Sequence, residues 1–107
     1  MLFLDEEQLK INYTRARQEL EEQEQDIKTY RKKGEQLFEE SRESLYYYLQ
    51  DFAIDDEPLN QALREFAQRK EEYLEILSKE RKAIIQKQED TDEKYYSNLR
   101  KLMEEDR

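Results

Sequence analysis

The stretch Leu45–Leu59, LYYYLQDFAIDDEPL, decides how this chain folds. Leu and Tyr fill positions 45–49 without a break, an acidic segment follows, and Pro58 is the only proline. Proline suits the first turn of a helix, where its missing N–H has no partner to lose. Asp55, Asp56 and Glu57 supply cap oxygens and negative charge at the same place. The stretch therefore predicts the end of one helix, a turn over about 53–57, and the start of a second helix.

On the N-terminal side, helix one is predicted over about 5–52. Asp5 suits an N-cap, Gln8 its capping-box partner, and Leu4 with Leu9 a hydrophobic staple. Glu6 and Glu7 suit the positive end of the helix dipole. Apolar or small residues recur at Leu9, Tyr13, Ala16, Leu20, Ile27, Tyr30, Gly34 and Leu37, in steps that alternate four and three with Gln23 in the gap. That is a heptad seam. Phe38, Leu45, Leu49 and Phe52 continue it after a change of phase that resembles a stutter. Gly34 costs about 1 kcal/mol in a helix interior relative to Ala, so close packing against a bulky neighbour is expected there, with a hinge or break as the alternative.

On the C-terminal side, helix two is predicted over about 58–104. Its seam is Leu59, Leu63, Phe66, Tyr73, Leu77, Ile84, Gln88, Thr91, Tyr95, Leu99 and Leu102, with Lys70 and Arg81 or Glu80 at polar positions. Asp and Thr in Gln88–Glu93, QEDTDE, lower helix propensity and mark a weak point. Each arm holds about 45 residues, or roughly 70 Å of helix. Equal arms and a short connection imply an all-α fold, an antiparallel coiled-coil-like hairpin formed by residues 1–107 as one domain. Folding about Asp55–Asp56 brings Leu45 to Phe66, Phe38 to Tyr73, Gly34 to Leu77, Ile27 to Ile84, Ala16 to Tyr95 and Leu9 to Leu102.

Composition agrees and excludes several functions. Of 107 residues, 44% are charged and 36% apolar, with one Gly, one Pro and no Val, which suits long helices and not a sheet. Absence of Cys and His removes thiolate chemistry, disulfides and the commonest metal ligand and general base. No run approaches the roughly 20 apolar residues of a membrane span, so no membrane insertion is expected. Met1–Leu4 is too short for a signal peptide, and the chain is expected in the cytoplasm, or co-exported with a partner. A net charge of −9 repels phosphate backbones, so no nucleic-acid partner is expected. Glu39–Glu40–Glu43 and Glu71–Glu72–Glu75 are acidic clusters, but a two-helix pair encloses no pocket that would separate their pKa values. The single Gly leaves no phosphate loop, and Asp55-Asp56-Glu57-Pro58 lacks the Gly of a calcium loop. The chain is read as a non-enzyme with no cofactor, metal or catalytic site.

Two helices bury one seam each, and this chain has more apolar surface than that. Tyr46, Tyr47 and Tyr48 point about 100° apart around a helix, so one seam cannot take all three. Ile84–Ile85, Leu74–Ile76–Leu77 and Tyr95–Tyr96 likewise exceed one stripe. Tyr46, Tyr47, Tyr48, Phe52, Ile85 and Tyr96 are therefore the candidate partner-binding residues. Charge is banded as well. Lys28, Arg31, Lys32 and Lys33 are expected level with Lys79, Arg81, Lys82 and Lys87. Glu19, Glu21, Glu22, Glu24 and Asp26 are expected level with Glu89, Asp90, Asp92 and Glu93. Like charges across a hairpin do not help it, but they could set the register of another helical molecule.

An acidic, Cys-free helical hairpin of about this size, with aromatics massed at the bend, resembles the Trp-Xaa-Gly (ESAT-six-like) superfamily of type VII secretion. There is no Trp, and the bend reads Phe52-Ala53-Ile54-Asp55. The closer resemblance is to the small accessory hairpins encoded beside LXG toxins, which lack the tripeptide. That resemblance implies a targeting factor that binds the helical LXG domain of an effector, together with a second small hairpin, and promotes its export. Tyr47-xxx-Asp51, Phe52-xxx-Asp56 and Phe3-xxx-Glu7 match the spacing of the aromatic–acidic export signal. They lie at the bend or the start of the chain, so the signal is expected on a partner. The alternative is a homo-oligomeric coiled-coil scaffold.

Overall fold

The computed structural model describes the backbone of residues 2–51 and 57–105 and the side chains from Asp5 onward within them. Two helices, α1 (Leu2–Gln50) and α2 (Glu57–Glu105), pack on each other as an antiparallel helical hairpin, with no strand among the described residues. Side chains one turn apart support these long polar helices: Arg17 with Glu21, Arg31 with Glu35, Lys79 with Glu75, and Gln86 with Asp90. Each such pair is worth a few tenths of a kcal/mol.

The predicted ends shift by a few residues. α1 already begins at Leu2, so Asp5 lies in the first turn and does not cap it. Leu2, Phe3 and Leu4 contain no helix breaker and extend the helix, while Asp5 still faces the positive end of the dipole. The Gln8 amide donates to Asn12 Oδ1 at 3.0 Å, along the helix, and not back to a cap. The Leu4 side chain and positions 53–56 of the predicted turn lie outside the described residues; Glu57 belongs to α2.

The helices form two compact bodies, residues 27–79 and residues 1–26 with 80–107. In the first, Ile27, Gly34, Leu59 and Leu77 are buried, and Phe38, Leu45, Phe66 and Tyr73 are half-buried. Phe38 meets Tyr73 (ring centroids 5.7 Å apart), as the sequence register predicts, and also Phe66 edge-on at 5.2 Å. The change of phase in α1 does not fall between Leu37 and Phe38 but earlier, where Ala16, Leu20 and Glu24 follow one another in two steps of four. Gly34, Phe38, Ser41 and Leu45 keep to steps of four and three. Tyr30 and Leu37, predicted in the seam, are instead 55% and 63% exposed. Phe38 follows Gly34 by one turn and takes the seam position, which turns its neighbour Leu37 outward.

Gly34 is a packing glycine in an unbroken helix, and its bulky neighbour is Tyr73, one turn from the predicted Leu77. A Cβ at Gly34 would run into the Tyr73 ring, with Cζ and the hydroxyl oxygen only 2.8 Å away. The missing side chain lets the Tyr73 hydroxyl donate to the Tyr30 carbonyl at 2.8 Å. That carbonyl is one turn before Gly34, the position of its own helical acceptor.

In the second body Leu20 and Ile84 are buried, and Leu9, Tyr13, Ala16, Tyr95, Leu99 and Leu102 are half-buried. The Tyr13 and Tyr95 rings stack with centroids 4.2 Å apart. The predicted gap-filler Gln23 is exposed, and Glu24 occupies the seam, where Gln88 donates to it at 3.2 Å and Arg81 approaches to 3.7 Å. The expected weak point at Gln88–Glu93 is continuous helix. Within it the Thr91 hydroxyl donates to the Lys87 carbonyl at 2.6 Å, and Asp92 accepts from Tyr13 at 2.7 Å.

The Gly34–Tyr73 contact gives a change of sign to look for in urea unfolding. Gly34→Ala should destabilise the wild-type chain, because the methyl lifts Tyr73 off the Tyr30 carbonyl. In a Tyr73→Ala background the same substitution should stabilise by about 1 kcal/mol, the helix-propensity gain alone. Effects of one sign in both backgrounds would refute the contact.

Candidate partner-binding surface

Residues 45–49 carry α1 to its end at Gln50 without a charged side chain. Leu45 and Leu49 are half-buried toward the seam, and the three tyrosines between them are left outside. Tyr46 is 50% exposed, Tyr47 70% and Tyr48 66%. Tyr47 and Tyr48 touch only edge to face, with centroids 6.0 Å apart. Tyr48 also closes one end of a shallow groove of about 540 Å³ that runs along α1 past Leu37, Ser41 and Ser44 to Leu45 and Phe66. The small serines keep the groove open between the two apolar side chains, Leu37 and Tyr48.

The six candidate residues are thus only partly brought together. Tyr46, Tyr47 and Tyr48 share the body of residues 27–79, whereas Ile85 and Tyr96 belong to the other body. Ile85 is half-buried. Tyr96 is 54% exposed but already engages Tyr95 edge-on, with centroids 5.2 Å apart. Phe52 lies outside the described residues. Leu37 belongs to the surface and was missed by the heptad reading. The signal was present in the Leu37–Phe38 pair, since adjacent helical residues cannot both face one seam.

Acidic clusters are dispersed along the helices. Glu39 lies 4.0 Å from Arg42, Glu40 accepts from Gln36, Glu72 from Gln68, and Glu75 pairs with Lys79. Among the described residues no group of three or more potential ligands is placed to hold a metal ion, and no helix is long and apolar enough to cross a membrane. The like-charge bands are broken where opposite charges meet between helices: Arg17 reaches Asp92 at 3.7 Å, and Arg81 reaches Glu24.

Among the described residues Tyr13 is the one ionisable group with a clear perturbation. Its hydrogen bond to Asp92 raises its pKa above 10.0, with burial, the Asp92 charge and Tyr96 adding and Arg17 opposing. A folded-state pKa raised above the unfolded value stabilises fully below the unfolded value and is lost as pH rises through the folded one. Asp92→Asn should therefore lower the pH at which Tyr13 ionises in a tyrosinate absorbance titration. It should also flatten the loss of stability above pH 10.0. An unshifted titration curve would exclude the Tyr13–Asp92 bond.

No protein-family model, curated protein or solved structure matches this chain.

Proposed function

We propose that the chain is a binding module, an adaptor that docks a helical partner against the exposed tyrosines of α1 and the groove beside them. The observation that carries this reading is the outward row Tyr46, Tyr47 and Tyr48 with Leu37, large apolar side chains left half-exposed or more on a body built from only two helical segments. Tyrosine pays little conformational entropy for a large contact area and is enriched among the residues that dominate interfaces. A third helix lying in the Leu37–Tyr48 groove would cover both ends of that row and meet Leu45 and Phe66 at its floor.

The family resemblance gives this partner an identity: the helical LXG domain of a type VII secretion effector, bound together with a second small hairpin. In this reading the adaptor masks apolar surface on the effector and presents the assembly for export. No step of bond making is involved; specificity comes from side chains fitting along helices.

The test is calorimetric titration of the chain with the LXG domain of an effector encoded beside it. Tyr47→Ser combined with Tyr48→Ser removes two exposed rings and should leave circular dichroism nearly unchanged. Loss of two anchors, together worth ~2 kcal/mol or more, should weaken binding by a factor of roughly thirty or greater. The wild-type chain should also melt at higher temperature with the domain present. Equal affinity of the wild-type and doubly substituted chains would remove this surface from the interface.

A further inference from the structure

The body formed by residues 1–26 and 80–107 has one closed side and one open side. Among the described residues its cross-helix polar contacts lie together: Tyr13 and Arg17 on Asp92, and Gln88 and Arg81 on Glu24. None of Arg17, Glu24, Arg81, Gln88 or Asp92 lines the other side, which is a continuous shallow trough. Its floor is Leu9, Tyr13, Ala16, Leu20, Tyr95 and Leu102, with the small Ala16 near the middle.

The trough walls carry opposite charge. On α1 the wall residues are Asp5, Gln8, Asn12, Glu19 and Gln23, two acids and no base. On α2, Lys87, Lys94 and Lys101 recur every seven residues, with Asp90 and Glu105 as the acidic exceptions; Asp90 accepts from Gln86 along its own helix. Asp5 stands level with Lys101 at one end, and Glu19 with Lys87 further in, because each pair lines the same part of the trough. Asp5, Glu19, Lys87, Lys94 and Lys101 are exposed, and among the described residues none of them forms an ion pair within the chain.

We infer that this trough is the docking face for a second copy of the same chain, turned by a two-fold axis parallel to the helices. That operation keeps every residue at its own height and exchanges the walls. The acidic wall of each α1 then faces the lysine wall of the partner's α2, Asp5 against Lys101 and Glu19 against Lys87, twice over. All neighbouring helices run antiparallel, and the two apolar floors close on each other as the core of a four-helix bundle. A pattern satisfied twice by one two-fold operation is the mark of an isologous interface, and charged flanks beside an apolar seam are how helical bundles choose partners. A helix of uniform charge would meet repulsion at one wall. This face belongs to a different body from the tyrosines, so self-association does not depend on the adaptor reading.

The test is a charge swap read by analytical ultracentrifugation. The wild-type chain should sediment as a dimer. Lys87→Glu, Lys94→Glu and Lys101→Glu together put acid against acid, and Asp5→Lys with Glu19→Lys put base against base. Each variant alone should be monomeric while circular dichroism shows its helices intact. An equimolar mixture should form a one-to-one dimer, and the chain carrying all five substitutions should dimerise again by itself. Tyr47→Ser with Tyr48→Ser should leave the dimer unchanged, which separates this inference from the adaptor reading. A monomeric wild-type chain, dimers that survive either single-wall reversal, or a mixture that stays monomeric would overturn it.

Discussion

Two helices can share only one seam, and that constraint governs this molecule. Each turn of α1 and α2 offers about one side chain to the other helix and turns the rest to solvent. Burial is correspondingly thin: Leu20, Ile27, Leu59, Leu77 and Ile84 are the buried apolar side chains among the described residues. Larger seam residues are only half covered, so the pair relies on specific contacts. Tyr13 stacks on Tyr95 while bonding Asp92, and Tyr73 lies over Gly34 while bonding the Tyr30 carbonyl. Both tyrosines place a ring in the seam and the hydroxyl on a polar atom of the opposite helix.

The same constraint explains what is left outside. Tyr46, Tyr47, Tyr48 and Leu37 are exposed because the seam positions around them are already taken by Phe38, Leu45 and Leu49. In the other body the polar cross-links gather on one side and leave a trough with an acidic and a basic wall on the other. Surface that the hairpin cannot use for itself is thereby sorted into an aromatic region and a charge-patterned one. These suit different kinds of association, the first by buried anchors and the second by register.

Much of this was legible in the sequence. Most of the α2 seam was legible, because Pro58 fixes where the helix starts and Leu59, Leu77 and Ile84 fall buried on its steps of four and three, although Ile76–Leu77 and Ile84–Ile85 each set two large apolar residues side by side. The α1 seam was harder. Leu37 and Phe38 are adjacent, only one can face inward, and the heptad count placed both in the seam by shifting phase between them. Glu24 was hidden because a carboxylate in a seam is unexpected until Gln88 and Arg81 are seen to meet it. The start of α1 was misplaced because Asp5 looks like a cap wherever it falls in a first turn. The exposed tyrosines were foreseeable from their consecutive spacing alone. The charged trough was not, since reading charges by height along the helices ignores the angle at which each side chain leaves its axis.

The account stands or falls on the packing of α1 against α2 along one seam with the tyrosine row uncovered, and isotope-filtered nuclear Overhauser spectroscopy of the free chain tests it most directly. Contacts within one molecule are expected between the rings of Tyr13 and Tyr95 and between Phe38 and both Phe66 and Tyr73, with none from the Tyr47 ring to α2. A helical chain that lacks the first set, or in which Tyr47 contacts α2, would contradict it.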